Sequence, residues 1–433
     1  MTEKEPRESS ASPAPRKRGR PPKRQAKRAA LLEGAVGLFN ARGIAGVSLS
    51  DIAEAVGLSR ATLYYYVDDR DELVFQCYLH ACQATAEDLV RAAGETNGFS
   101  RIASFVRRTL APGRKPAAVL SEIRYLKADL AETIAIAQRR NVTTLIGFLE
   151  AGMDDGSIRR CVPGPVAQAI FGMLYWAPLS SDWVGAVQDA SFRERVAATV
   201  LDILTHGIAR DRNRVFSCRI DVETFLPGRI NAFDRREASE MKLEQLLAAA
   251  SALFNRDGIE ATSLESITAG LGTTKGALYH YVREKAELVI KCYARAFDLY
   301  ERFIETAERE GRDALDAAMI DLHLNVQAQA SVLSPLMPQP GLGAVAEPHR
   351  SELVARARKI SLQTGTWMRQ AIADGSARNC DPEITALVSA GGFGWLPKWP
   401  PIVESANHRH IADEVTDLFF HGLKAQRRAT TRE

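Results

Sequence analysis

What the chain lacks narrows its function first. It has no uninterrupted apolar run long enough to span a bilayer, and its charged N-terminus lacks the short apolar stretch of a secretion leader, so it reads as a soluble, cytoplasmic protein with no membrane partner. Six cysteines among 433 residues form no CxxC pair and no His/Cys cluster at zinc spacing. That leaves no metal or cofactor to propose, and it favours buried reduced thiols over a redox sensor. The eight histidines are scattered outside any nucleophile, base or metal motif, which argues against an enzyme.

What is present is a repeat. Residues 31–78 return as residues 246–293, 215 positions later and without a gap, with 21 of 48 letters identical. Leu31, Leu32, Ala35, Leu38 and Phe39 share one stripe of a helix and Gly43 follows as a left-handed stop; Leu246, Leu247, Ala250, Leu253, Phe254 and Gly258 repeat the pattern. Two short helices follow. Ser48 and Asp51 write a capping-box-like start for one that Gly57 ends, and Ser59 caps the next over residues 60–67. Asp69, with Glu72 three residues on, starts a fourth helix carrying Leu73, Val74 and Tyr78.

Two helices joined by a short turn containing glycine form a helix-turn-helix, whose second helix enters the major groove of DNA. Arg60, Thr62, Tyr64, Tyr65 and Tyr66 can all donate hydrogen bonds to phosphates or base edges. Packing is the plain alternative for tyrosines. Three in succession point about 100° apart, however, so at least one must face outward. The second copy keeps Tyr279 and Tyr281, with His280 between them and Lys275 where Arg60 stands.

Over about 45 residues and in two copies, this spacing resembles the N-terminal domain of the TetR family of bacterial transcription regulators. The resemblance implies an all-α chain of two modules, each a three-helix helix-turn-helix domain followed by a helical regulatory and dimerisation domain. It also implies that Thr62, Tyr64 and Tyr66 meet bases and phosphates, that Arg70 contacts a phosphate, and that Ser48 and Ser50 anchor on the backbone. The matching positions are Ala277, Tyr279, Tyr281, Lys285, Ser263 and Glu265. The family pattern is not kept throughout. Ala61 replaces the usual glycine that Gly276 retains, Thr268 replaces Ala53, and Ala277 offers a methyl where Thr62 offers a hydroxyl, so the two motifs should read unlike sequences.

Charge is unevenly placed. Residues 1–30 hold ten Lys/Arg against three Glu, a net of +7, while the whole chain is only +3. Arg18-Gly19-Arg20-Pro21 in this arm resembles an AT-hook core, which can lie in a narrow A·T minor groove; a solubilising tail with nonspecific phosphate affinity is the other reading. The second copy has no such arm. Its motif, residues 263–285, carries a net of +1 against −2 for residues 48–70, a deficit for which the arm can compensate.

Farther along, the copies diverge but stay recognisable: 155–161 echoes 374–380, Trp176 echoes Trp395, and Asp202, His206 and Gly207 echo Asp417, His421 and Gly422. The expected organisation is therefore a basic arm (1–25), a helix-turn-helix domain (26–72), a regulatory domain (73–210), a linker (211–238), the second pair of domains (239–287 and 288–426) and a tail (427–433). By analogy with the family, 163–179 with 190–208 and 382–396 with 410–425 pair as a four-helix interface, and the intervening helices enclose an effector cavity. Phe171, Tyr175, Trp176, Phe393 and Trp395 can serve the interface, the core or the pocket, with packing the default; Trp183 and Trp399 are large enough to close over an apolar effector.

Within the linker, residues 215–222 alternate enough for a short strand or ordered strap. At about 3.3 Å per residue the linker reaches nearly 90 Å, and tethering supplies an effective concentration on the order of millimolar. The expectation is an intramolecular pseudo-dimer, with a further homodimer open. It would bind an operator as a repressor and be released by a small hydrophobic or acyl-CoA-like effector. The rival is a constitutive architectural DNA-binding protein.

Overall fold

The computed structural model describes residues 23–115, 117–184, 190–228, 233–338, 345–398 and 407–425. The first half builds α1 (Lys23–Arg42), α2 (Leu49–Ala55), α3 (Arg60–Leu63), α4 (Arg70–Ala92), α5 (Gly98–Thr109), α6 (Ala128–Asp154), α7 (Pro163–Val184) and α8 (Ala190–His206). Each has a counterpart in the second half: α9 (Arg235–Asp257), α10 (Leu264–Gly270), α11 (Lys275–Tyr279), α12 (Lys285–Glu310), α13 (Ala314–Gln329), α14 (His349–Asp374), α15 (Pro382–Gly394) and α16 (His408–His421). The fold is all-α, two modules of the same architecture in one chain. Among the described residues no helix is long and apolar enough to cross a membrane.

Local chemistry sets the helix ends. Gly43 ends α1 with a φ of 72°, a conformation that costs any other residue strain. Ser48 and Asp51 form a reciprocal capping box on α2, and Ser59, Asp69, Asn97, Asp313 and Asp381 each accept from a first-turn N–H of the helix they cap. One expectation is corrected: α3 stops at Leu63 instead of running to residue 67. Tyr65 and Tyr66 bond back to Thr62 and Leu63 in tight i→i+3 fashion, which brings Val67 into the core and leaves Asp69 free to cap α4.

No strand forms over 215–222 among the described residues; the segment is an ordered strap. Its partner is a side chain of α13: Gln327 donates to the Ile220 carbonyl at 2.9 Å and accepts from the Val222 N–H at 3.1 Å. Phe216 packs 5.7 Å from Phe420, and Arg214 pairs with Asp313 and Asp316. With a helix side chain taking both backbone groups, a strand partner is not needed.

The four helices α7, α8, α15 and α16 pack together within the chain. At their centre Gly172 of α7 lies against the backbone of Gly391 of α15, and Gly391 lies against that of Gly172, so a Cβ on either would strike a main-chain atom. The 219-residue echo in the sequence is thus a physical two-fold. Around it the contacts are reciprocal. Arg159 Nε donates to the Gly422 carbonyl and Arg378 Nε to the Gly207 carbonyl, at 2.6 and 3.0 Å, while the same arginines pair with Asp417 and Asp202. Short antiparallel bridges join Ile158 to Lys424 and Ala209 to Ala377. The echoed letters outside the helix-turn-helix are therefore the clasp between halves.

Replacing Gly172 or Gly391 by Val should cost about 1–3 kcal/mol or more by overpacking, read as a lower denaturant midpoint. Gly147→Ala, on the exposed face of α6 with no atom near a would-be Cβ, should instead raise it, by roughly 0.5–1 kcal/mol. Unchanged midpoints for both valine variants would show that the crossing is not a close contact.

Candidate nucleic-acid interface

The tyrosine run divides as its geometry requires. Tyr64 and Tyr65 are 45% and 66% exposed, while Tyr66 is half-buried with its ring edge-on to Tyr65 at 5.4 Å. The second motif repeats this with Tyr279 and His280 exposed and Tyr281 half-buried, the last two rings 5.1 Å apart. Leu63 and Leu278 anchor the two recognition helices in their cores. Each motif thus presents two rings outward from a helix fixed by one buried leucine.

Other side chains are already engaged. The Ser48 backbone N–H and hydroxyl each donate to Asp51 Oδ2 at 2.7 Å, and these bonds hold the Asp51 carboxyl below the usual range; Ser50 is exposed. Ser263 caps α10, and Glu265 beside it pairs with Lys275. Arg60 reaches the Tyr64 hydroxyl at 3.5 Å, and Thr62 shares its hydroxyl with Ser59 at 2.8 Å, whereas Ala277 is exposed with nothing to donate. Gly276 has room for a methyl, its nearest neighbour being Thr274 Oγ1 at 3.8 Å, which explains why Ala61 is tolerated. Thr268, where the first copy has Ala53, is buried and spends its hydroxyl on the Glu265 carbonyl at 3.0 Å.

Arg70 and Lys285, expected on phosphates, lie against the protein's own surface. The Arg70 guanidinium lies 5.3 Å from the Tyr125 ring centroid, with Nε and Nη2 buried and unbonded; Lys285 donates to the Glu260 carbonyl at 3.2 Å. Burial lowers the Lys285 pKa, against the pull of Glu260. Arg18, Arg20 and Trp399 lie outside the described residues, as does the side chain of Trp183.

The candidate pocket aromatics separate. Phe171 and Tyr175 are buried in the first module's core, stacked at 5.7 Å, with Phe105 edge-on to Phe171. Trp395 is buried against Tyr175 across the four-helix contact. Trp176 and Phe393, by contrast, line a cavity of about 530 Å³ in the second module, together with Phe297, Tyr300, Asp321 and Met337.

Comparison with known proteins agrees with the duplication. The model of bacterial regulatory proteins of the tetR family matches residues 31–77 and again 246–292, and the tetracyclin repressor-like C-terminal domain matches 100–208. The chain belongs to the TetR family. Its N-terminal domain is present twice.

Two curated relatives from Pseudomonas putida, the HTH-type transcriptional regulator TtgR and the probable HTH-type transcriptional regulator ArpR, are each 38% identical over 69 residues. That covers 16% of this chain and 32% of each relative, so the chain spans about a third of the length of the curated relatives it matches. Among solved structures, the TetR family regulator PfmR from Thermus thermophilus is 19% identical (TM-score 0.32; 39% of this chain, 94% of that one). AibR in complex with isovaleryl coenzyme A and operator DNA is 22% identical (0.35; 41% and 97%). The ketosteroid regulator KstR2 of Mycobacterium tuberculosis is 19% identical (0.35; 40% and 93%).

The TetR-type modules also hold residues for which sequence reasoning found no role. Asn40 donates to the Ala117 carbonyl and accepts from the Val119 N–H; Asn255 does the same to Pro335 and Met337, at 2.9 Å each. These asparagines are identical in both copies amid apolar letters, the one signal that pointed to them. Lys398 donates to the Ser121 carbonyl at 2.9 Å and the Asn255 carbonyl at 2.8 Å, joining the two modules. Nearby, buried Glu122 accepts from the Ile44 N–H at 2.9 Å, and Arg124 pairs with Asp257 at 2.9 Å. The two DNA-binding domains are thus cross-braced. Burial, meanwhile, pushes the Cys77, Cys82 and Cys292 thiols up to about 12, which favours their protonated form at neutral pH.

Desolvation brings Lys398 down from 10.5 to about 8, against the opposing pull of Glu122 and Asp257. The unfolded chain then binds the extra proton between those values, so this residue makes stability rise as pH goes from about 8 to 10.5. Urea unfolding of the parent and of Lys398→Met at the two ends of that window should show the parent gaining on the variant as pH rises. A pH-independent difference would mean that Lys398 titrates normally.

Proposed function

We propose that one chain binds one operator through both helix-turn-helix motifs and reads two unlike half-sites, and that a small apolar effector in the second module's cavity releases it, as in a repressor. The observation that carries the reading is the pseudo-two-fold crossing at Gly172 and Gly391, which pairs the modules inside the chain while leaving their recognition surfaces chemically different. Arg60 faces Lys275 in the alignment, Thr62 faces Ala277, and Tyr65 faces His280. A symmetric dimer is bound to prefer a palindrome; a fused pair is not.

Release has a short mechanical route. Met337 lines the cavity, its sulfur accepting from the Tyr300 hydroxyl at 3.2 Å and its backbone N–H held by Asn255 near the end of α9. A ligand that displaces Met337 therefore bears on the helix leading into α10 and α11. Through Lys398, which also holds Asn255, the same shift reaches Ser121 of the first module. This cavity supports effector control over a constitutive architectural role.

Selection from a random DNA pool should return an asymmetric site, and Ala277→Thr combined with His280→Tyr should move it toward a palindrome, with a mismatch in the altered half costing roughly 1–3 kcal/mol. Recovery of a perfect palindrome by the unmodified protein would sink the reading.

Removal of residues 1–24 tests the basic arm separately. For every phosphate that the arm neutralises, its deletion should flatten the log-log salt dependence by about 0.9. Unchanged affinity and slope would reduce the arm to a passive tail.

A further inference from the structure

The duplication supplies an internal control for the cavity. The caps Asn97 and Asp313 fix the register of α5 on α13, so that Phe105 corresponds to Asp321. The touching pair Gly172 and Gly391 fixes the register of α7 on α15, so that Phe171 corresponds to Ala390 and Tyr175 to Gly394. In the first module these three positions hold one continuous aromatic stack, Phe105 to Phe171 at 5.6 Å and Phe171 to Tyr175 at 5.7 Å, and all three are buried. In the second they hold a carboxylate, a methyl and no side chain. The 530 Å³ cavity lies there, with Asp321 and Ala390 in its lining. One module has been plugged where the other has been hollowed.

The acid sets the kind of ligand. Asp321 is the one acidic side chain in the described inner lining, Glu383 being exposed and paired with Arg369. Asp321 receives a hydrogen bond from Asn325 Nδ2 at 3.2 Å and has no ion-pair partner among the described residues. Burial alone pushes its carboxyl up to about 7. Of the cations in the lining, Arg195 is held by Asp381 at 2.8 Å and Arg369 by Glu383 at 2.6 Å, and Arg358 is exposed. A neutral apolar guest would seal the carboxylate away from water without a counter-charge, and an anionic one would add repulsion. A protonated amine would supply the missing partner while its hydrocarbon covers Phe297, Trp176 and Phe393.

Resting on the effector reading above, we infer that the chain takes one effector, in its second module only, and that the effector is a lipophilic amine whose protonated nitrogen pairs with Asp321. An acyl-CoA-like guest is disfavoured on the same grounds.

Titration calorimetry of the full chain without DNA, using decylamine, decanol and decanoate as probes, tests this. Decylamine should bind at one per chain and more tightly than either other probe. Asp321→Asn, which keeps the side chain's shape, should weaken decylamine by roughly tenfold or more while leaving decanol within about twofold. Ala390→Phe, which rebuilds part of the first module's plug, should abolish binding with the far-ultraviolet circular dichroism unchanged. If that variant misfolds, the Asp321→Asn comparison decides alone. Two sites per chain, decanoate binding as tightly as decylamine, an unaffected Asp321→Asn, or no binding by any probe would each overturn the inference. A gel-shift arm separates it from the reading beneath it: decylamine binding that leaves DNA affinity unchanged would remove effector release and leave the ligand assignment standing.

Discussion

At the contact of Gly172 with Gly391 two helix backbones meet with no side chain between them. Everything else in the molecule is arranged around that closeness. Because α7 and α15 approach so nearly, α8 and α16 can close over them, and the Asp-Gly-Ser turns at 155–157 and 374–376 come within reach of the opposite module's last helix. The arginines that follow those turns then find the carbonyls of Gly207 and Gly422, both held at positive φ where a side chain would collide with the facing stretch of backbone. A crossing that tight specifies its partner: only a helix with glycine at the matching position can take the place of the other half.

Duplication with retained pairing has let the halves specialise in opposite directions. In a symmetric dimer every substitution appears twice, so a core plug in one effector cavity would plug both. Here Phe171 and Tyr175 consolidate the first module without touching the cavity lined by Ala390, and the first module still contributes Trp176 and Phe192 to that cavity's wall. The same freedom shows in the motifs, where Arg60 and Thr62 carry donors that Lys275 and Ala277 offer differently or not at all.

How much of this was legible in the letters depended on whether the chemistry was local. Helix starts were, because a cap is a bond between residues three apart, as at Ser48 with Asp51 and Asp69 with Glu72. The second whole module was legible too, in letters repeated at fixed shifts, but that those letters clasp one half to the other was not, because the contact is made across modules. The end of α3 was not: whether residues 64–66 continue a helix or tighten into a turn depends on Val67 finding the core, a contact with no local signature. The strap at 215–222 alternates like a strand, yet its hydrogen bonds go to Gln327, over a hundred residues away. Sorting Phe171, Tyr175 and Trp395 into core and Trp176 and Phe393 into cavity wall required knowing which facing residues were small. That information sits at Ala390 and Gly394, letters that mean little alone.

Lys398 shows why the two DNA-binding domains need not act independently. A lysine half-buried between modules is costly, and it persists because it satisfies two main-chain carbonyls at once, one at the end of α9 and one at Ser121. Asn255, whose carbonyl it holds, also grips Pro335 and Met337 through its side chain, so a single residue joins the cavity wall, the helix feeding the second motif and the brace to the first. Asn40, its counterpart, grips Ala117 and Val119 in a module whose cavity position is filled by an aromatic stack. The device is therefore duplicated, and among the described residues the second copy stands beside the cavity. What moves Asn255 therefore moves α9, the helix that leads into α10 and α11, and bears on Ser121 of the first module through the ammonium of Lys398.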